Sequence, residues 1–225
     1  MLCKVNKLKT VFLYIFYFFR SVYYRGLFKT IRLLQFEGRY EKIFNIKTLP
    51  IKKSDAKDNF HYQGASYLIL MSLLKKLPGE LKNKIFVDYG SGKGRVLFCA
   101  EFTGFNNLLG VELDKELVEE AMQNIKTYSK KRKESKFIFV HQNALDFEIP
   151  NEAQVFFFFN PFSDNIMEKV VDNILRSFRQ CNREIYIVYM NPKFKEVWSN
   201  KGFETFFTDG NSRYAEAIIF KLKFN

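Results

Sequence analysis

Cysteine and histidine are scarce in this 225-residue chain. Its three cysteines, Cys3, Cys99 and Cys181, stand far apart and form no Cys-x-x-Cys. That spacing offers neither a disulfide framework nor a zinc site, and it fits a reducing compartment. Two histidines, His61 and His141, are too few for a histidine-based metal centre. Spanning apolar runs are also lacking. Val11–Phe19 holds nine apolar or aromatic residues; as a helix it spans roughly 13 Å, against the about 30 Å of a bilayer core. Arg20 and Arg25 interrupt any extension of it. No small-residue cleavage site follows, which also disfavours a signal peptide.

What is present is aromatic and basic. The length suits one domain with an appendage. A hydrophobic content of 47% excludes a disordered chain, and 27 Phe point to a Phe-rich core. The net charge of +12 is unevenly placed: residues 1–60 hold 13 Lys and Arg against 4 Asp and Glu, and the remainder 23 against 20. A basic, aromatic-rich helical extension is therefore expected over 1–58, ahead of a domain at 59–225. The extension has two readings. One is a helix packed on the domain. The other is an interfacial helix, with Tyr14, Tyr17, Tyr23 and Tyr24 at headgroup level and its cations on an anionic membrane. Residues 45–60, with Pro50 and several charges, read as a linker or exposed loop.

Periodicity predicts an alternating α/β chain. Helices are expected at 64–77, 94–102, 115 to about 129 (capped by Asp114), 163–180 and near 193–200. Strands are expected at 84–89, 107–113, 137–141, 155–159, 185–190, 203–207 and 215–220, the last two joined by a hairpin loop at 208–212. The reading is a seven-stranded, Rossmann-like, mostly parallel sheet with helices on both faces and a final antiparallel hairpin.

One stretch carries the chemistry. Phe86-Val-Asp-Tyr-Gly-Ser-Gly-Lys-Gly-Arg95 is a strand end with an acid, then three alternate glycines. Glycines permit positive φ and close approach of a ligand to the main chain. Dinucleotide folds use Gly-x-Gly-x-x-Gly to seat a pyrophosphate on a helix N-terminus. Here the third glycine comes one residue early, and Asp88 would repel a diphosphate. An acid at that place suits a cation such as an ammonium or sulfonium. A second strand, Leu108–Val111, ends in Glu112.

This pattern resembles motif I of the class I S-adenosylmethionine-dependent methyltransferases over about residues 60–221. The resemblance implies S-adenosyl-L-methionine as cofactor. Asp88 and the main chain at Gly90, Ser91, Gly92 and Gly94 would hold its methionine part, Glu112 its ribose hydroxyls and Leu113 its adenine face. Asn143, beside Ala144, would accept the adenine amino group through its side-chain oxygen. In His61-Tyr-Gln-Gly, Tyr62 and Gln63 fall where a loop covers the cofactor in several protein-lysine methyltransferases; a helix N-terminus is the competing reading. Asn160-Pro161-Phe162 resembles the Asn/Asp-Pro-Pro-Tyr/Phe motif of amino-methylating enzymes, with one proline where that motif has two. There the Asn side chain and the Pro carbonyl accept from the target amine while the aromatic ring packs beside it. A turn after a buried strand is the structural alternative.

The expected activity is methyl transfer to nitrogen on a macromolecule, protein lysine first and RNA second. The basic segments 4–9 and 130–136 are the RNA candidates. Small-molecule or lipid acceptors, and a non-catalytic cofactor-binding module, are the alternatives; the glycine spacing disfavours a nicotinamide oxidoreductase. Asp146 is the one candidate general base, with surface placement as the plainer reading. No metal is expected. The expected location is cytoplasmic, extending to a peripheral membrane position.

Overall fold

The structure, a computed structural model, describes residues 15–16, 18–24, 26–48, 64–211 and 214–223. Seven strands form one sheet in the order β3-β2-β1-β4-β5-β7-β6. They are β1 (Ile85–Tyr89), β2 (Asn107–Glu112), β3 (Lys136–His141), β4 (Ala153–Phe158), β5 (Ile185–Met190), β6 (Glu204–Asn211) and β7 (Tyr214–Leu222). The first five run parallel, and β7 pairs antiparallel with both β5 and β6.

The helices are α1 (Leu27–Phe44), α2 (Tyr67–Leu74), α3 (Arg95–Phe102), α4 (Lys115–Thr127), α5 (Asp164–Gln180) and α6 (Lys195–Asn200). Further helical turns occupy residues 18–24. A 3-10 turn, Gly79–Asn83, follows Pro78. Asp114 caps α4 as its sequence implies, its carboxylate accepting from the Glu116 and Leu117 N–H groups.

The central strands are apolar on both faces because both faces are covered. Phe86, Val155, Phe157, Tyr186 and Val188 point into a core shared with α1, α2 and α3. Val87, Tyr89, Phe156, Phe158, Ile185, Ile187 and Tyr189 point into the opposite core, closed by α5 and Trp198 of α6. Phe156, Phe157 and Phe158 are fully buried on alternate faces. Each contributes about 2–3 kcal/mol of apolar burial, so the Phe-rich run is core.

Three expectations shift at their edges. The helix expected at 64–77 is regular only over Tyr67–Leu74. The hairpin loop expected at 208–212 is shorter, because β6 stays paired through Asn211 across an irregularity at Asp209/Gly210, where Gly210 has φ 128°. The linker expected at 45–60 does not begin at 45. Ile46 and Thr48 are buried, and Thr48 accepts a hydrogen bond from Arg95 Nε at 2.7 Å. Phe44 and Ile46 belong to the same core as α2 and α3.

Candidate functional site

Strand order reverses between β1 and β4, which leaves a crevice at the carboxyl ends of the strands, where ligands bind in open α/β sheets. β1 delivers Asp88, β2 delivers Glu112, and β4 leads into Asn160-Pro161-Phe162. Gly90, Gly92 and Gly94 have φ of 75°, 51° and 85°, so the chain turns through left-handed conformations that disfavour any other residue. A Cβ on Gly90 would lie 2.8 Å from Pro161 Cβ, so the glycine turn and the Asn-Pro-Phe corner are in contact.

The N–H groups of the turn face inward. Gly90 and Ser91 N–H donate to the Val111 carbonyl at 2.8 and 3.1 Å, and Gly92 N–H donates to Glu112 Oε2 at 2.8 Å. A diphosphate cradle keeps such groups free for its anion. Here β2 already engages three of them.

Asp88 is 1% exposed, and its Oδ2 has no hydrogen-bond partner. Burial first, and the neighbouring Glu112 charge second, push its carboxyl well above the usual carboxylate range. A carboxyl so placed is poised to ionise against an incoming cation. Ser91 Oγ, also buried, lacks a partner too.

Glu112 Oε1 accepts from the Leu113 and Asp114 N–H groups at 2.8 and 2.9 Å, which fixes the carboxylate at the strand end. Gln142 N–H donates to the Glu112 carbonyl at 2.9 Å and ties the end of β3 to that of β2. Leu113 is exposed and Ala144 is buried. Asn143 Oδ1 accepts from Leu145 N–H at 3.0 Å in a tight turn. Asp88 and Glu112 stand near the carboxyl ends of β1 and β2, Leu113 directly follows β2, and Asn143 and Ala144 follow the end of β3. Tyr62 and Gln63 lie outside the described residues. Asp146 is exposed. Among the described residues no group of His, Cys, Asp and Glu is arranged to hold a metal ion.

Asn160 has φ 45°. Its Oδ1 accepts from Tyr189 OH at 2.8 Å and from Lys193 N–H at 3.4 Å. Tyr189 OH itself accepts from Phe194 N–H at 3.3 Å, so its proton is directed at Asn160. With two donors facing Oδ1 the amide orientation is fixed, and the atom left without a partner is Nδ2, a donor. Burial raises the Tyr189 phenol to about 12, so it stays protonated at neutral pH. Phe162 sits edge-on to Tyr89 and Phe158, with centroids 6.2 and 6.4 Å away.

Two supports of the site escaped the sequence reading. Gly110 in β2 lies beneath the glycine turn: a Cβ there would come within 2.7 Å of Ser91 Oγ and 2.8 Å of Phe139 Cδ1. A glycine inside a strand is the signal for such close approach. Gly110→Val is expected to lower stability by about 1–3 kcal/mol through overpacking, read by thermal melting, and to displace the turn. The second is Arg95, directly after Gly94. It is 3% exposed and donates to Glu37 Oε2 at 2.8 Å, Glu41 Oε1 at 3.3 Å, Thr48 Oγ1 at 2.7 Å and the Ala65 carbonyl at 2.8 Å. Its guanidinium carbon lies 4.4 Å from the Tyr67 ring centroid. Through Arg95 the glycine turn is fastened to α1.

No protein-family model matches the chain, and no curated protein matches it in sequence. Solved structures share its fold. Magnesium protoporphyrin IX methyltransferase from Synechocystis PCC 6803, with bound SAM, aligns at TM-score 0.51 and 15% identity, over 86% of this chain and 95% of that one. A SAM-dependent methyltransferase from Aquifex aeolicus aligns at 0.51 and 13%, over 68% and 88%. A protein of the NADB-Rossmann superfamily from Streptococcus agalactiae aligns at 0.51 and 15%, over 75% and 71%. At these identities the likeness is one of fold, a Rossmann-like sheet flanked by helices.

Proposed function

We propose that this chain is an S-adenosylmethionine-dependent methyltransferase. The observation that carries the reading is Asp88: a buried carboxyl with an unpartnered oxygen, beside a glycine turn whose N–H groups are already engaged. That pairing favours a cationic nucleotide and disfavours a diphosphate. Two of the similar folds are methyltransferases, which agrees with it.

Asp88 and Ser91 would hold the ammonium end of the cofactor, Glu112 the ribose hydroxyls, and Leu113, Asn143 and Ala144 the adenine. Tyr62 and Gln63 are proposed to cover it. When bound, the cofactor supplies a methyl group on an already activated sulfonium, so the chain's task is alignment and exclusion of water. Pro161 and Phe162, both half-buried, would wall the corner where the acceptor enters, with Tyr89 buried behind Phe162.

The resemblance favours a nitrogen acceptor on a macromolecule, protein lysine before RNA. Asn160 Oδ1 is held by Tyr189 and Lys193, so the free Nδ2 suits a carbonyl oxygen beside the methylated atom rather than the amine itself. RNA bases carry such carbonyls beside their ring nitrogens and a lysine Nζ does not, so this contact supports the RNA alternative while the resemblance keeps lysine first. Of the basic loop, Arg132 is turned inward to the buried Glu101, and Lys130, Lys131, Lys133 and Lys136 stay exposed.

Titration calorimetry with S-adenosylmethionine and NAD in parallel tests the cofactor. Binding of the former alone is expected; binding of NAD alone sinks the reading. Transfer of labelled methyl into lysate fractions, with nuclease, protease and lipid-extraction controls, then assigns the acceptor class. Label that survives protease but not nuclease would move RNA ahead of lysine.

A further inference from the structure

Helix α1 carries two apolar stripes. One, through Thr30, Leu33, Tyr40 and Phe44, packs on the domain. The other, Leu27, Phe28, Ile31 and Leu34, recurs at helical spacing on a different face and packs on nothing comparable among the described residues: these side chains are 48%, 86%, 40% and 62% exposed. Before it, across Gly26, residues 18–24 extend the apolar surface with Phe19 at 64% and Tyr23 at 73%. A soluble domain rarely shows so many large apolar side chains together without an occupant for them.

Charge identifies the occupant. From residue 1 to 36 the chain has seven Lys and Arg and no Asp or Glu; the first acid is Glu37. Arg32 and Arg39 are exposed beside the second stripe. A second copy of the same surface would set like charges against each other. An anionic lipid surface accepts both properties at once, the rings at headgroup depth and the cations on phosphate. No helix among the described residues is long and apolar enough to cross a membrane, so the contact is one of lying on the surface.

We infer that α1 and the helical turns before it dock the protein on anionic membrane. The inner stripe and the Arg95–Glu37–Glu41 contacts join that docking face to the glycine turn, which sets the candidate site at a fixed height above the lipid.

The test uses the full chain and needs neither cofactor nor acceptor, so its failure is distinct from failure of the methyltransferase reading. Flotation is measured with phosphatidylcholine vesicles and with vesicles containing phosphatidylglycerol, at low and high salt. The chain is expected to float with the anionic vesicles, to stay behind with the neutral ones, and to be released by salt. A triple variant, Phe19→Ser, Tyr23→Ser and Phe28→Ser, replaces only exposed rings and should keep its melting temperature. It is expected to lose anionic-vesicle binding by about tenfold or more. Equal flotation of the two proteins, no flotation of the wild type, or a wild-type dimer that the variant converts to monomer overturns the proposal.

Discussion

Asp88→Asn is expected to separate stability from ligand binding, moving the two in opposite directions. The native carboxyl is buried with one oxygen unpartnered, and its pKa stands well above the ordinary value of 3.8. In the folded, ligand-free protein it keeps its proton at pH values where the unfolded chain has lost it. The folded state then binds more protons, so this group lowers stability as pH rises from about 3.8 toward the folded pKa. Asn removes that loss, and the variant should melt higher than the parent at neutral pH. Binding of S-adenosylmethionine should weaken by about 10- to 150-fold, the worth of one charge-assisted hydrogen bond of roughly 1.5–3 kcal/mol. In the parent, affinity should climb with pH up to the folded pKa, because the cation requires an ionised Asp88; the Asn variant should show no such slope. Calorimetry across pH, with melting curves at the same points, checks both. A variant that binds the cofactor as tightly as the parent would remove Asp88 from the site.

Arg95→Met is expected to be the most destabilising single change near the site. It leaves Glu37 and Glu41 facing each other at the foot of α1 without their cation, and strands the Ala65 carbonyl, while Thr48 keeps Glu41 and Tyr67 as partners. Breaking a buried pair from one side costs about 3–5 kcal/mol, which for a chain of this size lowers the melting temperature by roughly 10 °C. Because the pair rests on complementarity, Arg95→Met combined with Glu37→Met and Glu41→Leu should recover most of that loss. Cofactor binding should weaken in the single variant, since Arg95 follows Gly94 directly and its release frees the turn. A melting temperature unchanged in the single variant would show that α1 is held by its apolar stripe alone.

The element order, the alternation of strand and helix, and the acid-plus-glycine turn were legible because each is local. Period-two and period-3.6 patterns, a cap at Asp114 and three glycines at fixed spacing need no knowledge of distant residues. Ile185–Met190 is legible to its ends for that reason, both of its faces being apolar and buried. The hairpin end is not legible locally, because Thr208, Asp209 and Gly210 look like a turn in isolation; pairing with β7 keeps them in the strand.

The tertiary structure alone decided what depends on contacts across the chain. Only the β1–β2 pairing aims three of the turn's N–H groups inward, onto the Val111 carbonyl and the Glu112 carboxylate. Likewise only Tyr189 and Lys193, some 30 residues downstream, reveal that Asn160 presents a donor. Arg95 reads as an ordinary helix start until α1, 58 residues upstream, places Glu37 against it. By itself the sequence determined which chemical groups stand at the strand ends. The fold determined which of their lone pairs and hydrogens are still free, because that is settled by partners remote in the chain.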